Sequence, residues 1–332
     1  MRVVALTDKF RGTATAAEVA AAVARAVEAV GGTCEQVPVA DGGEGFLDVL
    51  GGPNRSTMVM GPLGDPVDAP WRLAKGTAVI EMARASGLQL AGGTAGNDPI
   101  AATTYGTGEL VAAALDGGAR RILVGVGGSA TTDGGLGALR AIFAPHRLRR
   151  VELFVACDVR TRFTDAAAVF AGQKGATPAE VALLTRRLER LAQVYLDDYG
   201  VDVRELEGAG AAGGLAGGLA AVGAELVPGF DLVADELELT ELVEQADLVV
   251  TGEGFVDAQS FEGKVVGGVA ELAEMAGTRL LVVAGEVYDG CGQRVQAISL
   301  TDLFGEERSK ADAAGCVEAA VTDWLRGFRV SL

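Results

Sequence analysis

Residues 1–32, MRVVALTDKFRGTATAAEVAAAVARAVEAVGG, decide the fold class. The apolar run Val3–Leu6 is typical of a buried parallel strand. Thr15 and Glu18 have the spacing of a capping box, which predicts a helix from Ala16 to Val30 that ends at the following glycine pair. A strand, a polar loop and a capped helix in this order indicate an α/β domain.

The rest of the chain divides into segments of two kinds. Short alternating runs from about Ser56 to Met82 predict hairpins and mixed strands, whereas α/β patterning resumes after Gly106. Thr177 and Glu180 have the spacing of a second capping box, which predicts a long helix to about Leu196. Buried strands are predicted at Asp247–Thr251 and Leu280–Ala284, each ending in a loop of glycine and an acid, Gly252-Glu253 and Gly285-Glu286. We therefore predict an α/β fold of two lobes: a Rossmann-like lobe with a parallel sheet (residues 1–55 and 225–332) and an inserted lobe with a mixed sheet and glycine-rich loops (residues 56–224). Because ligands of open α/β sheets bind beyond the carboxyl ends of the strands, we expect the active site in the crevice between the lobes.

Composition excludes several classes of partner. Lys and Arg number 28 against 45 Asp and Glu, a formal net charge of −17, which repels nucleic-acid phosphates and anionic lipid head groups. We therefore expect no nucleic-acid and no membrane partner. Four scattered cysteines without a CxxC pair, and an N-terminus without a signal-peptide pattern, indicate a cytoplasmic protein. The sequence leaves a homodimer open.

Few reactive side chains are available besides carboxylates, lysines, arginines and hydroxyls. The single histidine, His146, lies in the segment APHRLRR, where a solvated loop residue is more common than a general base. A Ser-His-Asp hydrolase would depend on this histidine, and no G-x-S-x-G segment accompanies it. The remaining groups suit phosphoryl transfer with Mg²⁺, in which positioning and electrostatics do most of the catalysis.

The densest glycine loop of the chain, Val124–Gly135, lies between a predicted strand and a predicted helix. Its small residues let backbone N–H groups approach an anion, with the hydroxyls of Ser129 and Thr131 beside them. The loop also contains a weak G-x-G-x-x-A dinucleotide fingerprint, which leaves a nicotinamide-dependent oxidoreductase open. The phosphate-binding sequence G-x-x-x-x-G-K-[ST] does not occur.

Lysines and aspartates in polar loops are the other candidate groups. The chain has five lysines, and Lys174 and Lys264 each lie beside a glycine, where contact with phosphate is about as common as simple solvation. Five aspartates follow predicted strands or lie in glycine loops: Asp8, Asp41, Asp133, Asp158 and Asp257. Each alone is more often a turn or cap residue, but several on one crevice would form a metal and general-base site.

Many motifs in order along nearly the whole chain resemble the bacterial glycerate kinase family of the glycerate 2-kinase type. They are Asp8-Lys9-Phe10-Arg11-Gly12-Thr13, Val39–Gly45, Gly61–Gly64, Glu81–Ala83, Ser86–Leu88, Thr103–Glu109, Gly127–Gly135, Ala156–Val159, Gln173–Thr177, Gly208–Gly214, Thr251–Gly254, Asp257 and Gly263-Lys264. The resemblance implies phosphorylation of D-glycerate with ATP and Mg²⁺, with 2-phosphoglycerate as the expected product.

The resemblance also implies roles for individual residues. The implied catalytic residues are Asp8, Arg11, Asp257 and Lys264, and the implied substrate-binding residues are Lys9, Asp41, Gly42, Gly43, Glu44, Thr104 and Thr107. Nucleotide phosphates would be bound by Gly127, Gly128, Ser129, Thr131, Asp133 and Lys174, and Mg²⁺ by Asp133 and Glu253. Whether Asp8 or Asp257 accepts the hydroxyl proton or holds Mg²⁺ stays open at this point.

Three departures from the family pattern keep a further alternative open. Arg11 stands where the family has lysine, Phe255 stands where a basic residue is common, and the segment between Ala141 and Val151 is short. A non-catalytic protein that senses glycerate or a nucleotide on the kinase scaffold would tolerate such changes.

Overall fold

The computed structural model describes residues 1–10, 12–261, 264–288 and 295–330, with side chains up to residue 327. Contacts divide the chain into two compact units, which are unit 1 (Met1–Asp41 and Phe230–Leu332) and unit 2 (Gly42–Gly229). Within the described ranges, no helix has both the length and the apolar character that a membrane span requires.

Strands and helices alternate along the chain. The strands are β1 (Arg2–Thr7), β2 (Thr33–Gln36), β3 (Arg55–Met60), β4 (Pro66–Ala74), β5 (Thr77–Glu81), β6 (Arg121–Gly125), β7 (Glu152–Ala156), β8 (Glu225–Val227), β9 (Leu248–Val256), β10 (Arg279–Val287) and β11 (Ala297–Ser299). The helices are α1 (Ala16–Ala29), α2 (Phe46–Val49), α3 (Ala83–Ser86), α4 (Gly93–Gly96), α5 (Tyr105–Asp116), α6 (Leu136–Ile142), α7 (Pro178–Tyr199), α8 (Ala211–Ala221), α9 (Gly229–Glu236), α10 (Leu239–Glu244), α11 (Val265–Ala276), α12 (Leu300–Phe304), α13 (Glu306–Ala311) and α14 (Ala313–Val330).

Unit 1 is built on a parallel five-stranded sheet with the order β11-β10-β9-β1-β2. The predicted parallel sheet and the predicted first helix are both confirmed. Thr15 accepts a hydrogen bond from the backbone N–H of Glu18, and the Glu18 carboxylate accepts one from the backbone N–H of Thr15, which completes the capping box of α1. Val23 of α1 and Val317 of α14 are buried in one apolar cluster with residues of β1. These two helices therefore cover one face of the sheet.

Unit 2 is built on a mixed six-stranded sheet with the order β3-β4-β5-β6-β7-β8. The pairs β3–β4 and β4–β5 are antiparallel, whereas β5 to β8 pair in parallel, so the predicted mixed sheet is confirmed. Leu110 of α5, Leu139 of α6, Leu188 of α7 and Leu215 of α8 belong to one core that also contains Ile122 of β6. This core holds the loops after β5 and β6 in place.

The unit boundaries follow residues 41 and 229, whereas the sequence placed the lobe boundaries after residues 55 and 224. Residues 42–55 group with unit 2 because Glu81, at the end of β5, accepts hydrogen bonds from the backbone of Gly45 and Leu47. Residues 225–229 do so because β8 pairs with β7. The expected location of the active site between the lobes stays a prediction.

Two predicted strands continue further than expected. Gly252-Glu253 and Gly285-Glu286, predicted as loops, lie inside β9 and β10, so these two loop predictions are wrong. The strands stay in register beyond both glycines. Gly252 permits this close pairing, because a Cβ atom there would lie 2.1 Å from the carbonyl oxygen of Val283.

Candidate active site

Unit 1 gathers three carboxylates near the carboxyl ends of neighbouring parallel strands. Asp8 follows β1, and its backbone N–H donates to the carbonyl of Gly252 at 3.0 Å, which places Asp8 next to Glu253 of β9. The segment after β2 stays beside β1 through a hydrogen bond from Val39 to the carbonyl of Thr7, and this segment ends at Asp41. We call Asp8, Asp41 and Glu253 the acidic cluster.

Two carboxyl groups of the acidic cluster, those of Asp8 and Glu253, bind protons more tightly than ordinary carboxyl groups do. Burial raises the pKa of Asp8 to about 6, with the charge of Asp41 adding to the effect and the charge of Lys9 opposing it. Burial also raises the pKa of Glu253 to about 7; a hydrogen bond from Ser260 and the charge of Lys264 oppose this shift, and the charges of the other two carboxylates add to it. Carboxylates with such pKa values can exchange a proton near neutral pH.

The other predicted catalytic groups of unit 1 have different surroundings. The Lys9 ammonium lies 3.6 Å from the Asp8 carboxylate. Asp257 caps a short 3₁₀ turn, since its Oδ1 accepts a hydrogen bond from the backbone N–H of Ser260 at 3.0 Å. Lys264 is half-buried at the residue before α11, where its charge acts on Glu253. Arg11 lies outside the described residues.

One carboxylate oxygen of the acidic cluster is suited to a cation. Glu253 Oε1 is buried and has no hydrogen-bond partner among the described residues, a costly state for an ionised carboxylate. A divalent cation at this oxygen would offset that cost, so the donor set fits Mg²⁺. Within the described part of the chain, no three or more His, Cys, Asp or Glu residues are arranged to hold a metal, but Mg²⁺ commonly takes one or two carboxylates together with substrate phosphates.

In unit 2, the glycine segment that begins at Gly42 is in close contact with the glycine loop that contains Gly127. Gly42 has a φ of +86°, and a Cβ atom there would lie 2.9 Å from Cβ of Ala156. A Cβ atom at Gly127 would lie 2.4 Å from the Cα of Gly43. Side chains at these positions would force the segments apart, so glycine is required for the contact.

Three carbonyls of the loop after β6 accept hydrogen bonds from other parts of unit 2. The carbonyl of Gly128 accepts a hydrogen bond from Leu88 N at 2.9 Å, and that of Ala130 accepts one from Asn97 Nδ2 at 3.0 Å. The carbonyl of Thr131 accepts one from Lys174 Nζ at 2.6 Å. In a trans peptide the carbonyl and the N–H group of the following residue point in opposite directions. The N–H group of Ser129 therefore faces away from Leu88, which binds the Gly128 carbonyl. Gly127 and the exposed Gly128 form the accessible part of this phosphate-loop candidate, and Ser129 beside them is largely buried.

The side chain of Lys174 lies inside unit 2, with only 4% of the residue exposed. Its Nζ donates to Ser129 Oγ at 2.8 Å as well as to the Thr131 carbonyl. Burial lowers the pKa of Lys174 to about 7, and the charge of Asp133 opposes this shift. A side chain so placed supports the loop from within.

Four other predicted binding residues form hydrogen bonds within unit 2. The Asp133 carboxylate accepts hydrogen bonds from the N–H groups of Gly135 and Gly137 at the start of α6, and from both the N–H and the hydroxyl of Thr104. Thr104 and Thr107 are fully buried, and the Thr107 hydroxyl donates to Ser86 Oγ. The fully buried Thr131 donates to the carbonyl of Ala212 at 3.4 Å. Among the remaining predicted residues, Glu44 is exposed.

Sequence reasoning missed two supporting residues, Glu81 and Asn97. The buried Glu81 carboxylate binds the backbone of residues 45 and 47, and Asn97 Nδ2 joins the Ala130 carbonyl to that of Lys174. A charged residue that ends the otherwise apolar strand TAVIE was a usable signal for Glu81. Asn97 gave none, because an asparagine before Asp-Pro is typical of any turn.

Known proteins share this fold over the whole chain. The model of the glycerate kinase family matches residues 3–146 and 143–325. A glycerate kinase of Bacillus subtilis (strain 168) is 36% identical, over 98% of this chain and 100% of its own. The glycerate 2-kinase of Escherichia coli (strain K12) is 37% identical, over 88% of this chain and 87% of its own. A crystal structure provisionally assigned to glycerate kinase 2 of Salmonella typhimurium LT2 has a TM-score of 0.84 and 33% identity, and covers 100% of this chain and 99% of its own.

The fold and the family match define an α/β enzyme of the phosphotransferase class. The chain belongs to the glycerate kinase family, which confirms the resemblance found in the sequence. The alignment with the Bacillus subtilis protein spans 382 positions, about 50 more than the 332 residues of this chain. The two segments matched by the family model meet at residues 143–146, inside the segment expected to be short.

Proposed function

We propose that this enzyme transfers the γ-phosphoryl group of ATP to a hydroxyl of D-glycerate, with Mg²⁺, and releases 2-phosphoglycerate. The observation that carries the proposal is the family match over residues 3–146 and 143–325. The glycerate 2-kinase of Escherichia coli, at 37% identity, supports the choice of product. Family membership also favours this reaction over the nicotinamide-dependent alternative.

The phosphate loop of unit 2 is assigned to the nucleotide. Gly128 and Ser129 offer backbone N–H groups at an accessible turn, and Gly127 keeps the backbone free of a side chain. Ser129 Oγ already accepts a hydrogen bond from Lys174, so its own O–H is available to donate to a phosphate oxygen. These donors stabilise charge that develops on the transferred group.

Unit 1 is assigned to the acceptor. Asp8 accepts the hydroxyl proton, because with a pKa of about 6 it is mostly ionised at neutral pH yet basic enough to take a proton. Lys9, beside Asp8, and Arg11 bind the glycerate carboxylate, and Lys264 neutralises charge on the phosphoryl group. Asp257 keeps the turn before Lys264 in place through its bond to Ser260.

Glu253 is the residue assigned to Mg²⁺, because its buried Oε1 has no hydrogen-bond partner among the described residues. Bound Mg²⁺ supplies neutralisation of phosphate charge. Asp41 shares the electrostatic field of Glu253 and completes the anionic surroundings. Asp133 is assigned to the cap of α6 instead, since its oxygens already accept N–H and O–H groups of the chain.

Two fully buried threonines are left out of the substrate site in this proposal. Thr104 and Thr107 have no exposed surface and bond within unit 2. They hold α5 against the phosphate loop and α3. Gly43 and Glu44 stay candidate contacts to substrate because this segment reaches the surface at Glu44, whereas Gly42 is buried against Ala156.

Phosphorus NMR of a mixture of the protein, ATP, Mg²⁺ and D-glycerate tests the function. We expect 2-phosphoglycerate to form, to vanish when Mg²⁺ is chelated, and to form at least about 100-fold more slowly with Asp8→Asn. Formation of 3-phosphoglycerate would overturn the product assignment alone. ATP binding without any phosphoglycerate would favour the non-catalytic sensing protein.

A further inference from the structure

A basin on unit 2 collects positive charge in an otherwise acidic protein. It encloses about 400 Å³ and is lined by Lys75, Gly76, Thr77, Arg120, Arg121, Arg150 and Glu152. Four of these seven side chains are cationic and one is anionic, although the chain as a whole carries a net charge of −17. We call this set the cationic basin.

Strand pairing and backbone hydrogen bonds fix the positions of the residues that line the basin. Thr77, Arg121 and Glu152 lie opposite one another at the amino ends of the parallel strands β5, β6 and β7. The N–H groups of Arg120 and Arg121 both donate to the carbonyl of Gly76, at 2.8 and 3.2 Å. The Glu152 N–H donates to the carbonyl of Arg120 at 2.9 Å. The basin therefore rests on the rigid edge of the sheet.

This edge is the opposite one from the phosphate loop. The loop follows the carboxyl end of β6, and a strand of this length separates its two ends by roughly 13–15 Å. The cationic basin is therefore a separate place in the same unit.

Three of the cations lack an acidic partner among the described residues. Lys75, Arg120 and Arg150 form no ion pair in the part of the chain that the structure describes. Cationic side chains elsewhere in the protein pair with acids, as Arg147 does with Asp116. Like charges brought together without counter-charges repel one another, and a bound anion would relieve that repulsion.

Two of the guanidinium groups are held by packing. Arg120 lies against Gly76, where an added Cβ atom would come within 3.2 Å of its Nε. Arg121 lies over the ring of Phe154, 5.1 Å from the centroid, and 3.9 Å from the Glu152 carboxylate. A planar guanidinium held in this way matches the oxygens of a phosphate in a bidentate manner.

We propose that the cationic basin binds a small polyanion that carries a phosphate group, at a site separate from the site of phosphoryl transfer. Its volume suits a ligand of a few to about twenty heavy atoms, and its open side admits one that keeps part of its surface in water. Arginines fix the phosphate and Lys75 balances a second negative group.

Isothermal titration with inorganic pyrophosphate, without Mg²⁺, nucleotide or glycerate, tests the proposal. Wild type is compared with Arg120→Ala/Arg150→Ala and with the matched control Arg149→Ala, an exposed neighbour outside the basin. We expect the double variant to bind roughly tenfold more weakly and the control to bind as wild type does. Raising NaCl from about 50 to 500 mM should weaken the wild-type interaction.

The comparison separates the basin from the phosphate loop, because any pyrophosphate at the loop contributes equally to all three proteins. Equal affinities in wild type and the double variant would overturn the proposal. Citrate that binds as tightly as pyrophosphate would overturn the assignment to phosphate. Neither result depends on whether the enzyme phosphorylates glycerate.

Discussion

The ammonium of Lys174 donates a hydrogen bond to Ser129 Oγ at 2.8 Å from a position inside unit 2. It also holds the Thr131 carbonyl, so one buried charge fixes both a hydroxyl and a peptide group of the phosphate loop. In the proposed assignment of this loop to the nucleotide, Lys174 is a positioning residue that acts through Ser129.

Replacement of Lys174 by methionine should weaken nucleotide use. The change keeps the volume of the side chain but leaves Ser129 Oγ and the Thr131 carbonyl without their donor. We expect KM for ATP to rise about 10- to 100-fold while KM for glycerate changes little, because displaced loop donors act on the phosphates. Steady-state kinetics measure this, with the exposed Lys310→Met as control. A fall in kcat alone would contradict the positioning role.

The stability contributed by Lys174 should rise with pH. Its pKa is 10.5 in the unfolded chain and about 7 in the folded one, so folding expels a proton between these values. The contribution is complete above about pH 10.5 and is lost as pH falls through about 7. The free energy of unfolding of wild type relative to Lys174→Met should therefore increase from pH 7 to pH 9.5 in urea titrations. A constant difference would show that the ammonium is solvated.

Glu253 should have the opposite dependence on pH. Its pKa rises from 4.5 in the unfolded chain to about 7 in the folded one, so its contribution is complete below about pH 4.5 and is lost as pH rises through 7. Without Mg²⁺, the free energy of unfolding should fall more steeply from pH 5.5 to pH 8 in wild type than in Glu253→Gln. Urea titrations at the two pH values measure the slopes, and parallel slopes would remove Glu253 from the acidic cluster.

The rise in Tm that Mg²⁺ gives should distinguish the role of Glu253 from that of Asp133. Asp133→Asn should lower the free energy of unfolding by about 1–2 kcal/mol, because it weakens the cap of α6. It should keep the rise in Tm that Mg²⁺ with an ATP analogue gives to wild type, whereas Glu253→Gln should lose most of that rise. Thermal melts with and without the metal measure both. The reverse pattern would return the metal to Asp133.

Local patterns predicted much of the fold, as α1 and α7 show. Their capping boxes, Thr15 with Glu18 and Thr177 with Glu180, both form as the spacing requires. The sequence did not predict that β9 and β10 continue beyond Gly252 and Gly285. Glycine followed by an acid is typical of a loop, and only the neighbouring strand supplies the hydrogen bonds that extend the sheet.

Local patterns select some candidate site residues but do not predict the roles of others. Residue type and position after a strand suffice to select Asp8 and Ser129, because both depend on local chain geometry. The roles of Asp133 and Lys174 depend on partners that are distant in sequence. Thr104 lies 29 residues from Asp133, and Ser129 lies 45 residues from Lys174.

The α/β class, the parallel and mixed sheets and the family were therefore predictable from the amino acids alone, as were candidate residues for phosphoryl transfer. These follow from short-range periodicity, helix caps and motifs in family order. The burial and the hydrogen-bond partners of the polar groups became visible in the folded chain: Lys174 is turned inward, Asp133 lies at a helix cap, and Glu253 Oε1 has no partner among the described residues. Burial and pairing are set by long-range packing, and they fix the pKa values and the orientation of each group.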